Sequence, residues 1–168
     1  MSVLVIMQTI SKAFVARVFS VAVALFVVMP SFASAAVISK PFEISGWIPY
    51  WRTATGTADA LVHLETFTEI NPFVYTVTEN GRLNDAGSMI TESSWIQLKQ
   101  AAKEKNVRFI PTVMWSNPDA MHAVLSDTSQ RQLLVRQIVD EVTVHDFDGI
   151  DIDFEGKRYE TGPYFSKF

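Results

Sequence analysis

Three acidic residues near the C-terminus alternate with apolar ones in the segment HDFDGIDIDFEGK, residues 145–157. Asp151, Asp153 and Glu155 occupy every second position, so in a β-strand their side chains point to one face. We call these three residues the acid ladder. Successive carboxylates lie ~7 Å apart, because a strand rises ~3.3 Å per residue. Like charges at this range raise one another's pKa, so we expect the last acid to hold a proton, as general-acid catalysis requires.

Three other interpretations of the acid ladder stay open at this point. Alternating acidic and apolar residues are ordinary in an antiparallel strand with one solvated face. A calcium-binding EF-hand loop needs polar residues between its ligands, whereas Ile150, Ile152 and Phe154 stand there. A metal site for phosphoryl transfer also uses paired aspartates, but no glycine-rich phosphate loop accompanies these.

The segments around the acid ladder alternate between strand and helix. Apolar and aromatic runs predict three earlier strands, ISGWIPYW (44–51), INPFVYTVT (70–78) and VRFIPTVMW (107–115). Helical periodicity joins them, with Thr57 as one N-cap and Asp127 as another, in a capping-box pattern with Gln130. The order β-α-β-α-β-α-β predicts right-handed crossovers and a parallel α/β sheet. Burying a charged carboxylate in such a sheet costs free energy unless the carboxylate is paired with another group or serves the protein's function.

The first 35 residues have the layout of a secretory signal peptide. They contain no acid, two basic residues (Lys12 and Arg17), an apolar run over 18–29 and a small-residue cleavage site, ASA, at 33–35. We therefore expect residues 1–35 to be removed and the protein to be secreted or placed in the cell envelope. The alternative is an uncleaved N-terminal membrane anchor, and membrane contact is expected only in that case.

Charge and composition exclude several classes of partner and chemistry. Residues 36–168 carry 12 basic and 18 acidic side chains, so their net charge is −6. A net negative charge argues against nucleic acid and anionic membrane surfaces as partners. The chain contains no cysteine, so disulfides, thiolate metal sites and a cysteine nucleophile are excluded.

The motif DGIDIDFE resembles the DxxDxDxE signature of glycoside hydrolase family 18, the chitinase-like enzymes, at Asp148, Asp151, Asp153 and Glu155. The motif falls on the fourth predicted strand, as in that family. GWIPYW and INPFVYTV resemble the family's first and second barrel strands. The resemblance implies the N-terminal half of a (β/α)8 TIM barrel over residues 36–168, with its site at the carboxyl ends of the strands.

The resemblance also implies a role for each acid of the motif. Glu155 would protonate the glycosidic oxygen, while the substrate's own 2-acetamido oxygen attacks the anomeric carbon. Asp153 would orient the acetamido N–H, and Asp151 would hold Asp153 and share its charge. Asp148 would be a structural hydrogen-bonding residue. No metal or cofactor is implied, and the expected partner is a polysaccharide of β-1,4-linked N-acetylglucosamine, either chitin or a peptidoglycan-type glycan.

Four aromatic residues are predicted to contact sugar, because they fall near the carboxyl ends of the first three strands. They are Tyr50, Trp51, Tyr75 and Trp115.

Two departures from the family affect what the resemblance implies. The third strand reads PTVMWSN where the family often has Ser-x-Gly-Gly, and four strands make half a barrel. The family's later strands supply a tyrosine that contacts the acetamido group and a tryptophan below the sugar. We therefore expect a truncated fragment of an enzyme, inactive alone. The alternative is a non-catalytic chitinase-like carbohydrate-binding protein, although such proteins typically lack the terminal acid that Glu155 provides.

Overall fold

The computed structural model describes residues 42–168, so the predicted signal peptide lies outside the described residues. The strands and helices of this part follow one another as β1 (Ser45–Pro49), α1 (Thr53–Val62), β2 (Glu69–Val77), β3 (Leu83–Asp85), α2 (Ser93–Lys105), β4 (Arg108–Phe109), β5 (Thr112–Trp115), α3 (Pro118–Ser126), α4 (Thr128–Val144), β6 (Asp151–Phe154) and α5 (Gly162–Phe165). Short 3-10 turns span Tyr50–Arg52, Leu64–Thr66 and Tyr159–Thr161.

The sheet has the predicted parallel order. β1, β2, β5 and β6 are neighbours in that sequence, and every pair among them is parallel. The expectation of four parallel strands with connecting helices is therefore confirmed, and the antiparallel interpretation of the acid ladder is wrong.

The predicted third strand is divided in two. β4 pairs with the start of β2 and β5 with its later part, and Ile110 and Pro111 separate them. Proline has no N–H to donate, so the pairing is interrupted there. The Pro111 carbonyl still accepts a hydrogen bond from the Asp151 N–H at 2.9 Å, which aligns β6 with this strand.

The sequence did not predict β3. It pairs antiparallel with the end of β2 after a tight turn in which Gly81 has a φ of 73°. This left-handed conformation is open to glycine at little steric cost.

The N-termini of α4 and α1 can be compared with the N-caps predicted from the sequence. Asp127 accepts hydrogen bonds from the N–H groups of Ser129 (2.8 Å) and Gln130 (3.0 Å), so the predicted cap of α4 is confirmed. The prediction for Thr57 was wrong, because α1 begins four residues earlier. The Thr57 hydroxyl instead donates to the carbonyl of Thr53 at 2.7 Å, which is an interaction of a helix interior.

The parallel register divides the sheet side chains between two faces. Trp47, Phe73, Thr112, Asp151 and Asp153 lie on one face, which we call the acid face. The intervening residues lie on the opposite face, the helix face, which packs against the helices. The largest helix side chains buried there are Trp95, Leu98, Met121, Leu125 and Leu134. Each buried side chain of this size contributes about 1.5–3 kcal/mol relative to exposure.

A register shift in β2 lies between Phe73 and Tyr75. Residues two apart normally share a face, but here Phe73 pairs with Thr112 on the acid face and Tyr75 with Val113 on the helix face. Gly87 accommodates the irregularity, because its N–H donates to the Val74 carbonyl at 3.0 Å. A Cβ at this glycine would lie 2.7 Å from the Val74 side chain.

Among the helices of residues 42–168, none is both long enough and apolar enough to cross a membrane.

Candidate active site

Asp151 is fixed by two donors from other strands. Its Oδ2 accepts a hydrogen bond from the Trp47 indole Nε1–H at 3.1 Å and another from the Thr112 hydroxyl at 2.9 Å. Trp47 is on β1 and Asp151 on β6, so their bond joins the first and last strands of the order β1-β2-β5-β6, while Thr112 is on the neighbouring strand β5. Hydrogen bonds to a carboxylate are stronger than those between neutral groups. The first acid of the ladder therefore has a defined position before any ligand binds.

The Trp47 bond also shows that the sheet curves towards the acid face. Strands are spaced ~4.8 Å apart, so β1 and β6 would lie about 14 Å apart in a flat sheet of this order. A tryptophan and an aspartate side chain together cannot bridge that distance. The strands must therefore bend around the acid face, as barrel strands do.

Asp153 is the next acid along β6 and is paired with Met114 on the acid face. Burial raises the pKa of this carboxyl, the nearby Glu155 and Asp151 charges raise it further, and Lys157 partly opposes the shift. The effect expected from the spacing of like charges is thus present in the ladder, and the raised pKa falls on the middle acid. Asp153 holds its proton more tightly than a solvated aspartate.

Glu155 is the first residue beyond β6. Its N–H donates to the Trp115 carbonyl at 2.8 Å, so the strand pairing extends to it, and its side chain is exposed. The chain then turns at Gly156, which has a φ of 65°. The Lys157 ammonium folds back to the Phe154 carbonyl. Glu155 therefore stands at the carboxyl end of a parallel strand with its carboxyl open to solvent.

Asp148 lies before β6 and away from the other acids. Its Oδ2 accepts a hydrogen bond from the Phe109 N–H at 2.8 Å, and its own N–H donates to the Phe109 carbonyl at 3.1 Å. These reciprocal bonds attach the start of β6 to β4. Asp148 thus makes structural contacts at the other end of the strand from Glu155.

The aromatic residues near β1 form a group beside Asp151. Trp51 and Tyr50 lie in the 3-10 turn after β1 rather than in the strand, and they are 64% and 37% exposed. The Trp51 and Trp47 rings both pack against Phe73, with centroids 6.0 and 5.8 Å apart. Two of the predicted sugar-contacting residues are therefore close to the acid face and accessible.

The structure contradicts the other two sugar-contact predictions. Tyr75 is 1% exposed, and its hydroxyl donates to Glu141 Oε1 on α4 at 2.7 Å. Burial and this carboxylate raise the pKa of Tyr75, so the phenol stays neutral. Trp115 pairs with Phe154 on the helix face and is 2% exposed. Both residues belong to the layer between sheet and helices.

The sequence prediction missed Trp47, Thr112 and Phe73 on the acid face. The signal for Trp47 was the end of β1: because the strand ends at Pro49, Trp47 is its tryptophan and Trp51 falls in the following turn. The Thr112 hydroxyl was missed because the strand around it is mostly apolar.

The site has the components of carboxylate acid–base chemistry. One acid is anchored, the next has a raised pKa, and the last is exposed at the strand end, with aromatic surface beside them. Among residues 42–168, no group of three or more His, Cys, Asp or Glu side chains is arranged to hold a metal ion.

No protein-family model matches the chain, and no curated protein matches it. Among solved structures, the chain is similar to the class V chitinase of Pseudomonas fluorescens Pf-5, with a TM-score of 0.66 and 20% identity over 74% of this chain and 38% of that one. It is similar to the Cycas revoluta family 18 chitinase solved with (GlcNAc)3, with a TM-score of 0.61 and 15% identity over 73% of this chain and 37% of that one. It is also similar to the spore cortex-lytic enzyme SleL of Bacillus megaterium QM B1551, with a TM-score of 0.59 and 20% identity over 73% of this chain and 29% of that one.

The matched region is under two fifths of the length of each of these enzymes. The resemblance seen in the DGIDIDFE motif is matched by the path of the backbone. The described residues have the fold of part of a glycoside hydrolase family 18 chitinase barrel.

Proposed function

We propose that this chain carries the acidic half of the active site of a glycoside hydrolase that cleaves β-1,4-linked N-acetylglucosamine glycans by substrate-assisted, retaining hydrolysis. The observation that carries the proposal is the position of Asp151 and Asp153 on one face of a parallel strand, with Glu155 at its carboxyl end. Barrel enzymes build their sites at this end. The chitinase-like fold supports the same reaction class.

In the proposed reaction, Glu155 is the general acid. Its proton passes to the glycosidic oxygen as the bond from that oxygen to the anomeric carbon breaks. The acetamido carbonyl oxygen of the same sugar forms the new bond to that carbon and gives a cyclic oxazolinium ion. Water then attacks the anomeric carbon from the side that the leaving group vacated, the bond from this carbon to the acetamido oxygen breaks, and Glu155 takes the proton from the water. The two displacements together retain the configuration.

The other two acids act on the acetamido group. Asp153 accepts a hydrogen bond from its N–H and stabilises the positive charge that develops on it. Asp151 holds Asp153 and shares its charge. Because Asp151 is bonded to Trp47 and Thr112, the negative charge beside Asp153 is fixed in place before the reaction begins.

The proposed substrates are chitin and peptidoglycan-type glycans. Two of the similar structures are described as chitinases, one of them bound to (GlcNAc)3, and a third as a spore cortex-lytic enzyme. We also propose that residues 1–35 direct export to the cell envelope or beyond it, or act as an anchor if they are not cleaved.

Residues 36–168 alone are expected to hydrolyse no glycan. The family resemblance assigns the acetamido-contacting tyrosine and the tryptophan below the sugar to later strands than these four. Positioning of reacting groups can supply ≈ 7–11 kcal/mol of barrier lowering. The measurement is turnover of a fluorogenic chitobioside by Ala36–Phe168 beside its Glu155→Gln variant. Turnover above that variant would show that this part of the barrel works alone.

The mechanism is tested with the product of the full reading frame that contains these residues. An aryl chitobioside and an aryl cellobioside differ in the 2-acetamido group, and we expect cleavage of the first only. Proton NMR of early product from a natural oligosaccharide should show the β-anomer first. Equal cleavage of both glycosides, or the α-anomer first, would contradict substrate assistance.

A non-catalytic carbohydrate-binding protein is the second candidate. The exposed Trp47 and Trp51 rings beside the acids favour it, since aromatic faces pack on sugar rings. Binding of (GlcNAc)3 without turnover by the full-length product would establish this alternative.

A further inference from the structure

The turn that follows Glu155 makes little packing contact of its own. We call residues 156–161 the exit turn, because the chain leaves β6 through it. Residues 155–160 are all exposed, and a Cβ added at Gly156 would meet no atom within 4 Å. The bond from the Lys157 ammonium to the Phe154 carbonyl lies within this same part of the chain. Contacts with a separate element must therefore fix the exit turn, and with it the place where Glu155 stands.

The helix α3 supplies two contacts to the exit turn. Asp119, in the first turn of this helix, forms an ion pair with Arg158. One helical turn later, the His122 Nδ1 and the Thr161 hydroxyl are joined by a hydrogen bond of 3.0 Å. The Tyr164 ring also packs edge-on against the His122 ring, with centroids 5.9 Å apart and planes at 73°. The exit turn is therefore tied to α3 at its middle and at its end.

Burial decides which of the two contacts is the stronger. The side chains of Arg158 and Asp119 are 45% and 75% exposed, and ion pairs as exposed as this contribute little to stability. Thr161 is fully buried and His122 is half-buried, so losing their bond leaves a polar group without a partner away from water. The bond between His122 and Thr161 is therefore the main attachment of the exit turn to α3.

We propose that His122 is a positioning residue for Glu155, and that it acts by holding the exit turn against α3. This inference rests on the proposed function, because it takes Glu155 as the general acid. The Glu155 N–H is bonded to the Trp115 carbonyl at 2.8 Å and Thr161 is bonded to His122, so the backbone is held on both sides of the turn. A general acid needs this precision, because a misplacement of ~1 Å can cost about 100-fold in rate.

The first measurement needs no glycan. Hydrogen–deuterium exchange is followed by mass spectrometry in the product of the full reading frame that contains these residues. The Thr161 N–H donates to the Arg158 carbonyl at 3.0 Å, so its exchange reports whether the exit turn is closed. His122→Phe keeps an aromatic ring against Tyr164 but removes the bond to Thr161, and we expect faster exchange over residues 156–161. His63→Phe is the same change at an exposed histidine that follows α1, and it should leave this exchange unchanged.

The second measurement is the steady-state kinetics of the same variants on an aryl chitobioside. His122→Phe should lower kcat about tenfold and leave KM unchanged, since the substrate still binds while the acid is misplaced. In His122→Asn the side-chain amide can bond the Thr161 hydroxyl in place of Nδ1, so much of kcat should return. Thr161→Val should match His122→Phe, and the double variant should lose no more than either single one, because both changes remove the same bond. Assays well below the measured melting temperature of each variant separate positioning from unfolding.

Three results would overturn the inference. They are unchanged exchange over the exit turn in His122→Phe, a full kcat in a variant whose exit turn exchanges faster, and an equal loss of kcat in His122→Asn and His122→Phe. A wild type that cleaves no chitobioside would instead refute the proposed hydrolase activity. In that case the exchange comparison still decides whether His122 holds the exit turn, so the two failures are distinguishable.

Discussion

Replacing Thr112 by valine isolates one of the bonds that fix Asp151. The Thr112 side chain is fully buried on the acid face, and its hydroxyl donates to Asp151 Oδ2 at 2.9 Å. Valine has nearly the same shape but no hydroxyl, so the substitution removes the donor with little change in packing. The Trp47 N–H remains as the second donor to the same oxygen.

The expected loss follows from these contacts. A hydrogen bond to a charged group contributes ~1.5–3 kcal/mol, and leaving a buried acceptor without a donor has a cost of the same order. Because Trp47 still donates and Asp151 is only half-buried, we expect a loss just below that range, about 1–1.5 kcal/mol. For a domain of this size the melting temperature should fall by roughly 3–6 °C.

The assay is thermal and urea unfolding of the wild type, Thr112→Val and Thr112→Ser. Serine keeps the donor and loses a methyl group, so it should retain the Asp151 contact and lose only packing. The Asp151 carboxyl carbon resonance should move in the valine variant and stay in place in the serine variant. An unchanged stability in Thr112→Val, or a larger effect of serine on the Asp151 resonance, would refute the reasoning.

Two further stability effects follow from single contacts. Tyr75→Phe should destabilise the fold by about 1–2 kcal/mol in urea unfolding, because Glu141 loses the donor of a 2.7 Å bond inside the helix layer; no change would mean that the bond is absent in solution. Asp153→Asn should be more stable than the wild type at pH 7. The folded state raises the pKa of Asp153, so the protonated form of this carboxyl favours folding. This stabilisation is fully present below the pKa of the unfolded state and is lost as pH rises through the pKa of the folded state. The stability advantage of Asp153→Asn over the wild type should therefore vanish towards pH 3. An advantage that grows as pH falls would contradict a raised pKa at Asp153.

The acid ladder could be predicted because strand parity is a local property. Alternation of Asp151, Ile152 and Asp153 fixes opposite faces whatever surrounds the strand. The parallel order could be predicted as well, since helical segments between strands leave room for few other connections.

The errors arose where three-dimensional packing overrides the local pattern. The register shift after Phe73 turns Tyr75 towards the helices, and nothing in the run INPFVYTVT marks it. β1 ends at Pro49, so Trp51 falls in the following turn, and Trp47 is the tryptophan of β1 on the acid face. The bond from Trp47 to Asp151 spans 104 residues and depends on the curvature of the sheet, which no short segment encodes.

The role of Glu155 is the central claim, and one comparison tests it most directly. The turnover number on a fluorogenic chitobioside is measured for the product of the full reading frame that contains these residues, as the wild type and as the variants Glu155→Gln and Glu104→Gln. Glu104→Gln is the same change at an exposed glutamate on α2. Glutamine keeps the shape of the side chain but cannot deliver a proton. We predict a 10²–10⁴-fold fall for Glu155→Gln with (GlcNAc)3 binding retained, and no change for Glu104→Gln. Near-wild-type turnover by Glu155→Gln would contradict the account.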